Sequence, residues 1–156
     1  MSGNSLEIAF GMLARRPLSE KEAAVRLLRK RVPESAIPTV LARLRDLGML
    51  DDPGLCRQLA RSYRETRVYG PAKIAWKLVS RGFPQPLVEE AVREECLKED
   101  VEAAAAMALR KKYRGGIPPG REGASKAYRF LAGRGFPPDI CRRAVGARRT
   151  ELEGEI

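Results

Sequence analysis

Three of the pairs in which a proline follows a bulky apolar residue are evenly spaced along the chain, at 51 and 53 residues. They are Val32-Pro33, Phe83-Pro84 and Phe136-Pro137. Alignment on these pairs brings further apolar residues into register, among them Leu27, Leu78 and Leu131. Such self-similarity is typical of repeat architectures, in which each unit packs against its neighbours. We therefore expect three tandem units of about fifty residues each in this chain of 156 residues.

The apolar residues within each unit are spaced for helices rather than for strands. Ser19 and Glu22 have the spacing of a capping box, which predicts the start of a helix. Gly82 and Gly135 stand where left-handed C-terminal caps are expected, and the prolines after them cannot continue a helix. The prediction is an all-α fold of three tandem three-helix repeats, resembling helix-turn-helix units, in an elongated body that can also be curved. The repeats are expected at residues 1–50, 51–98 and 99–150, with a C-terminal tail at 151–156.

The composition is strongly basic, since 30 Lys and Arg residues against 20 Asp and Glu residues give a formal net charge of +10. A polyanion or an acidic protein surface is a natural partner for such a chain, although the same surplus can simply keep a protein in solution. Cys56, Cys96 and Cys141 lack the spacing of a zinc site and are expected to be small apolar residues in a reducing cytosol. Because no leader and no apolar run of about 20 residues is present, we expect a soluble cytoplasmic protein without metal or cofactor.

The middle unit carries cations on one side of two consecutive predicted helices. Residues 57–81 contain seven cations and one acid, Glu65, whereas the next helix is rich in glutamate. Exposed Lys and Arg residues often do no more than hydrate a helix face, but a bias shared by two adjacent helices also fits a binding surface for phosphates or acidic protein. The candidate binding residues are Arg57, Arg61, Arg64, Lys73, Lys77 and Arg81.

A second basic stretch, RKKYRGGIPPGREG at residues 110–123, adds the candidates Lys111, Lys112 and Arg114. It fits either a phosphate-attracting loop or a plain linker, and its glycines do not form a P-loop because no G-K-[ST] follows. We expect Trp76 to pack in the core, because it aligns with Val25, and Tyr69 to pack at a turn rather than to stack on bases.

No set of residues points to catalysis. Asp51 and Asp52, the most obvious carboxylate pair, precede Pro53 and are expected to cap a helix rather than to supply an acid and a base. Histidine is absent, and no serine has a visible activating partner. The sequence therefore predicts a binding protein and not an enzyme.

Two stretches, RLRDLGMLDD at 43–52 and YGPAKIAWKLVSRGF at 69–83, resemble the signature of the RecX family of regulatory proteins. The matching residues are Leu47, Gly48, Leu50, Asp51, Asp52, Tyr69, Gly70, Ile74, Leu78 and Gly82. Met49 stands where the family usually has tyrosine. The later stretch KAYRFLAGRGFPPDI, at 126–140, resembles the third repeat of the family, so the resemblance covers almost the whole chain.

The resemblance implies tandem three-helix repeats and action on the RecA recombinase. Family members bind RecA and its nucleoprotein filament, inhibit ATP hydrolysis, strand exchange and co-protease activity, and can contact single- and double-stranded DNA, thereby modulating recombination, DNA repair and the SOS response. An extended, basic and repeated monomer is compatible with this role, because it could touch several protomers of a filament. Two other classes stay open from the residues alone, an independent nucleic-acid-binding module and a helical scaffold for another acidic protein.

Overall fold

The computed structural model describes the backbone of residues 2–154 and the side chains of residues 3–150. Over the described backbone the regular structure consists of nine α-helices and one short 3-10 turn at Glu34–Ala36, without strands. The helices are α1 (Ser2–Arg15), α2 (Glu20–Arg29), α3 (Ile37–Asp46), α4 (Asp52–Glu65), α5 (Pro71–Ser80), α6 (Gln85–Glu95), α7 (Lys98–Lys112), α8 (Gly120–Gly133) and α9 (Pro138–Gly154). The prediction of an all-α fold is confirmed.

The helix ends follow the punctuation of the sequence. The Glu22 amide donates to Ser19 Oγ at 3.1 Å, and the Ser19 amide donates to the Glu22 carboxylate at 2.9 Å, so the predicted capping box is present. Gly82 and Gly135 have φ values of 88° and 94°, the left-handed conformation that was expected after α5 and α8. Of the predicted tail at 151–156, the part up to Gly154 belongs to α9, and residues 155 and 156 lie outside the described residues.

Each triplet of helices surrounds a core of its own, and we name the triplets repeat 1 (α1–α3), repeat 2 (α4–α6) and repeat 3 (α7–α9). The residue limits predicted for the repeats stay a proposal, and α4 and α7 each begin within one residue of them. The fully buried side chains include Leu27 in repeat 1, Leu78 in repeat 2 and Leu131 in repeat 3. These leucines share one column of the repeat alignment, so the same position of the middle helix fills each core.

The three cores lie in an extended body. The accessible surface is 9586 Å². A compact monomer of 17.3 kDa would expose roughly 7,800 Å², so the excess is about a fifth. No helix of the described chain combines the length and the apolar character that crossing a bilayer requires.

Repeats 2 and 3 meet where the turn before α5 rests on the turn after α8. The Gly70 amide donates to the Arg134 carbonyl at 2.8 Å, and the Ala72 amide donates to the Gly135 carbonyl at 3.1 Å. A Cβ atom on Gly70 would lie 2.4 Å from the carbonyl carbon of Gly135. Only glycine therefore allows the two backbones to approach this closely.

Val68 joins the link before α5 to the core of repeat 3. Its side chain is 3% exposed and packs in the cluster that contains Leu131. Its φ is 57°, a conformation that costs a β-branched residue on the order of 1–3 kcal/mol. Arg134 holds this strained link, because its Nε donates to the Val68 carbonyl at 3.3 Å and its Nη2 donates to the Arg67 carbonyl.

Repeats 1 and 2 meet through the same pair of turns, one repeat earlier. Ser19 Oγ donates to the Arg81 carbonyl at 2.6 Å, and Arg81 Nη2 donates to the Pro17 carbonyl at 3.0 Å. In the repeat alignment, Ser19, Arg81 and Pro17 correspond to Gly70, Arg134 and Val68. One geometry therefore joins both pairs of neighbouring repeats.

In repeat 1 the turn after α2 has the same conformation but no neighbouring repeat packed on it. Arg31 stands where repeats 2 and 3 have Gly82 and Gly135, and it is left-handed with a φ of 65°. A Cβ atom on Gly82 would lie 2.8 Å from the Lys21 side chain, and one on Gly135 would lie 2.4 Å from the Lys73 amide nitrogen. Arg31 is exposed. Glycine is thus needed where the turn packs on another repeat, and a side chain is tolerated where it does not.

Alanine substitutions at left-handed glycines should separate backbone strain from packing. Apart from its two chain neighbours, no residue has an atom within 4 Å of the Cβ position of Gly48, whose φ is 72°. Gly48→Ala is therefore expected to lower the free energy of unfolding by about 1 kcal/mol. Gly135→Ala should cost roughly 3 kcal/mol or more, since its Cβ would also meet backbone. Urea denaturation followed by far-UV circular dichroism measures both.

Arg31→Gly is the matched change in the opposite direction. It removes the left-handed strain at an exposed turn, and it should raise the free energy of unfolding by roughly 0.5–1 kcal/mol after the entropy cost of glycine. Equal losses for Gly48→Ala and Gly135→Ala would contradict the packing of the turns described above.

Candidate functional site

Arg61 and Arg64, two of the predicted binding residues, pair with acidic residues of this chain. Arg61 Nε and Nη2 lie 3.0 and 3.1 Å from the two carboxylate oxygens of Glu95. Arg64 Nη2 lies 4.0 Å from Glu95, and its Nη1 lies 3.8 Å from Asp100. The hydrogen bonds from Arg61 hold the pKa of Glu95 below its usual value. These two arginines therefore link α4 to α6 and to the start of α7.

Arg81 belongs to the contact between repeats 1 and 2. Its Nη2 lies 2.8 Å from Glu22 Oε1 and its Nε 3.2 Å from Glu22 Oε2, while Arg16 lies 2.9 Å from the same carboxylate. Burial alone would raise the pKa of Glu22, but the hydrogen bonds from Arg81 and the Ser19 amide, with the charges of both arginines, outweigh it and leave the pKa below its usual value. The structure thus places this predicted binding residue in an ion pair between repeats.

Asp51 and Asp52 serve helix ends, as predicted. Asp51 accepts a hydrogen bond from the Gly54 amide at 3.2 Å and caps α4. Asp52 is 7% exposed and accepts one from the Glu20 amide at 3.0 Å, in the first turn of α2. Burial raises the pKa of Asp52, and the hydrogen bond from Glu20 only partly opposes this. Both carboxylates therefore support the scaffold.

The other signature residues are scaffold residues too. Ile74 and Leu78 are fully buried, and Leu50 is 3% exposed in the core of repeat 1. Tyr69 is half-buried at its turn, with its ring centroid 6.1 Å from that of Tyr63. Among the matching residues, Leu47 is 44% exposed. Apart from Leu47 and Tyr69, the signature thus records how the repeats are built, and the binding surface has to be sought mainly among other residues.

Lys111 and Lys112, two of the predicted binding residues, lie where repeats 2 and 3 meet, around a hollow of about 550 Å³. Arg67, Lys111, Lys112 and Arg134 line this hollow together with Tyr69 and Phe130. Lys73 and Lys77 adjoin it, since their Nζ atoms lie 4.8 and 5.9 Å from the Tyr69 ring centroid. We call these six cations and two aromatic residues the junction surface.

The junction surface combines candidates from two distant stretches of the sequence. No carboxylate of the described side chains lies within 4.0 Å of Lys73, Lys77, Lys111 or Lys112. Their charges are therefore available to a polyanion. Arg57 on α4 and Arg114 after α7 are exposed as well, but neither lines the hollow.

Trp76 is not a core residue, and the expectation that it would be is wrong. Its side chain is 64% exposed. The face of α5 that carries Ile74 and Leu78 is turned to the core. Trp76 is two positions from each of them and lies about 200° around the helix, so it faces away from the core. Val25, which aligns with Trp76, is itself 39% exposed, so the shared apolar column did not indicate burial.

The cysteines are packed rather than reactive. Cys56 and Cys141 are buried, as predicted, and Cys96 is half-buried. Burial raises the pKa of the Cys56 and Cys96 thiols to about 11, so both are neutral at physiological pH and are weak nucleophiles. Across the described residues no three His, Cys, Asp or Glu side chains converge as a metal site would require.

Known proteins match this chain from end to end. Residues 6–44 match the family model of the first three-helix domain of RecX, and residues 99–145 match that of the third. A regulatory protein RecX of Thermus thermophilus is 37% identical over 157 aligned residues, which cover 99% of each chain. The chain belongs to the RecX family.

Further RecX proteins agree with this assignment. Regulatory protein RecX of Halorhodospira halophila is 30% identical, with 90% of this chain and 86% of the relative covered. The crystal structure of RecX from Lactobacillus salivarius matches the fold with a TM-score of 0.82 over 96% of this chain and 97% of that chain, at 20% identity. The nine helices of the described chain thus have the arrangement of a RecX protein.

Glu22→Gln is expected to weaken the contact between repeats 1 and 2. It removes the charged acceptor of Arg81 and should lower the free energy of unfolding at neutral pH by about 1–2 kcal/mol. Because the pKa of Glu22 is depressed in the folded chain, its contribution is complete above the unfolded pKa and is lost as the pH falls through the folded one. The loss caused by Glu22→Gln should therefore shrink below about pH 4.

Urea unfolding of both proteins between about pH 7 and pH 3 measures this difference. Glu90→Gln removes an exposed carboxylate of α6 and serves as the control. An effect of Glu22→Gln that is constant over this range would contradict the role of the ion pair.

Proposed function

We propose that this RecX-family chain binds the RecA recombinase and its nucleoprotein filament in the cytoplasm and acts there as a regulator, not as an enzyme. Binding inhibits ATP hydrolysis, strand exchange and co-protease activity, and so modulates recombination and DNA repair. The observation that carries the proposal is 37% identity to a regulatory protein RecX over 99% of both chains.

The extended array of repeats supports a mechanism in which one chain touches more than one RecA protomer. Weak contacts on separate repeats add up when the repeats are held at fixed positions, because the second contact forms within the complex. The turn contacts at Ser19 and Arg81 and at Gly70 and Arg134 provide such fixed positions. Repeats that bridge neighbouring protomers would hinder filament growth or the movements that accompany ATP turnover.

Lys73 and Lys77 are the best candidates for contacts to an acidic RecA surface within the middle repeat. Both are without an ion pair among the described residues, whereas Arg81, which the sequence grouped with them, is held by Glu22 at 2.8 Å. Reversal of Arg81 would therefore disturb the scaffold as well as the surface. The two lysines alone give a cleaner test.

Lys73→Glu/Lys77→Glu should raise the concentration needed for half-inhibition of RecA roughly tenfold, because two attractions become repulsions. The measurement is ATP hydrolysis by RecA on single-stranded DNA at increasing amounts of the protein. Arg43→Glu/Arg93→Glu, two exposed cations on α3 and α6, gives the same change in net charge on other helices and should have a small effect. A wild-type chain that leaves hydrolysis unchanged would refute the proposed function itself.

Direct binding of nucleic acid is a second candidate function, favoured by the junction surface. Phosphates need mainly Lys and Arg, and Lys111 and Lys112 face a hollow with two further arginines in it. Such binding is compatible with action on a nucleoprotein filament, whose DNA would lie near a protein docked on it. It would also operate without RecA, which separates the two functions experimentally.

Lys111→Ala/Lys112→Ala should weaken binding to single-stranded DNA and flatten its dependence on salt. Each phosphate contact that is lost reduces the slope of log K against log salt concentration by about 0.7. Fluorescence anisotropy of a labelled oligonucleotide in a salt series, without RecA, measures the slope. Arg43→Ala/Arg93→Ala is the control, and an equal loss in the control would assign the binding to net charge rather than to the junction surface.

A further inference from the structure

The middle helices of repeats 1 and 2 expose the same pair of apolar positions. Val25 and Leu28 on α2 are 39% and 48% exposed, and Trp76 and Val79 on α5 are 64% and 46% exposed. The members of each pair are three residues apart and are therefore neighbours on one helix face. Single exposed apolar residues are common on protein surfaces, but a matched pair in two consecutive repeats is more than scatter.

The two pairs flank one small hollow between α2 and the end of α5. Its volume is about 250 Å³, and Val25 and Ser80 line it from opposite helices. Ser80 follows Val79 in the chain, and its hydroxyl donates to the Trp76 carbonyl at 2.8 Å. Trp76 lies four residues before Ser80 and is its neighbour on one helix face, so one residue of each apolar pair lies in or beside the hollow.

The hollow carries an unmatched positive charge. The charged residues that line it are Lys21, Glu22, Arg26, Arg29 and Arg81. Glu22 and Arg81 neutralise each other at 2.8 Å. No described carboxylate lies within 4.0 Å of Lys21, Arg26 or Arg29. The hollow is therefore suited in size and in charge to an acidic side chain from another molecule.

We propose that these residues form a docking surface for an acidic protein segment, in which a carboxylate flanked by apolar side chains enters the hollow. The inference rests on the proposed function, and the segment belongs to RecA. The apolar pairs bury against the flanking side chains of the segment, and the three unmatched cations bind its carboxylate. An aromatic anchor beside complementary charge is typical of the centre of a protein interface.

The composition of this docking surface favours protein over nucleic acid. Three of its four exposed apolar residues, Val25, Leu28 and Val79, are aliphatic, so only Trp76 offers a ring on which a base could stack. The surface also ends at repeat 2, because Arg129 and Ala132 occupy the corresponding positions of repeat 3. Repeats 1 and 2, with Lys73 and Lys77, would thus hold the protein partner, while Lys111 and Lys112 of the junction surface are left for phosphates.

Two double substitutions test the docking surface through inhibition of RecA ATP hydrolysis on single-stranded DNA. Val25→Ser/Leu28→Ser and Trp76→Ser/Val79→Ser should each raise the concentration for half-inhibition at least about tenfold. Leu97→Ser/Met107→Ser, two residues that are 53% and 44% exposed elsewhere, is the matched control and should change it less than about twofold. Unchanged far-UV circular dichroism and urea midpoints exclude unfolding as the cause.

A direct probe uses the only tryptophan of the chain, Trp76. Replacement by 5-hydroxytryptophan gives a fluorophore that can be excited apart from the tryptophans of a partner. Its quenching by acrylamide should decrease when RecA is added and stay unchanged with single-stranded DNA alone. Protection by DNA alone, or none by RecA, would overturn the proposal.

The outcomes distinguish this inference from the proposed function. If the wild-type chain inhibits RecA and both serine variants inhibit equally well, the docking surface is refuted and the regulatory function stands. If the wild-type chain does not inhibit RecA, both are refuted.

Discussion

The contact of one turn with the turn of the next repeat determines where every other surface of this RecX-family chain lies. Between repeats 2 and 3 it consists of amide-to-carbonyl hydrogen bonds at Gly70 and Ala72, and between repeats 1 and 2 the hydroxyl of Ser19 takes the place of the first amide. A three-helix unit of about fifty residues buries little apolar surface and is marginal alone, so each repeat depends on its neighbour. Val68 illustrates this dependence. Its left-handed conformation is strained, and the packing of its side chain in the core of repeat 3 stabilises it.

The same contact explains why the array has two different ends. At the open side of repeat 1 the turn after α2 carries the exposed, left-handed Arg31 in place of the glycine that the packed turns require. In repeat 3 the residue that corresponds to Ser19 and Gly70 is Gly123, and it lies inside α8 rather than before it. Its Cβ position is 1.8 Å from the Pro118 carbonyl oxygen, so the preceding loop already covers this site. Neither end can therefore receive a further repeat in the way that the inner contacts do.

Local features of the sequence predicted most of the fold, and long-range pairing decided most of the site. The capping box at Ser19 and the left-handed Gly82 involve only a few consecutive residues, so spacing and residue type are sufficient to predict them. The partner of Arg81 is Glu22, 59 residues away, and no helical wheel contains that information. The repeat alignment placed Trp76 in an apolar column with Val25, but only the packing of α5 decided that this position faces outward. The charge count along residues 57–81 was misleading for the same reason, because Glu95 of α6 pairs with Arg61 and Arg64 of α4.

Both proposed binding surfaces arise at the contacts between repeats. Arg81 and Arg134 occupy the same repeat position, and each donates hydrogen bonds to the link of the preceding repeat. Each also lines a hollow, the one between α2 and α5 for Arg81 and the junction hollow for Arg134. Among their lining residues the two hollows share only this arginine position. The first lies between α2 and the end of α5 and has aliphatic residues beside it, whereas the second is lined by the link before α5, α7 and α8, with lysines and aromatic residues around it. Because each hollow shares an arginine with the contact between the repeats, the repeats must be docked before either surface is complete. The docked repeats can then present a protein-binding face and a phosphate-binding face at a fixed separation.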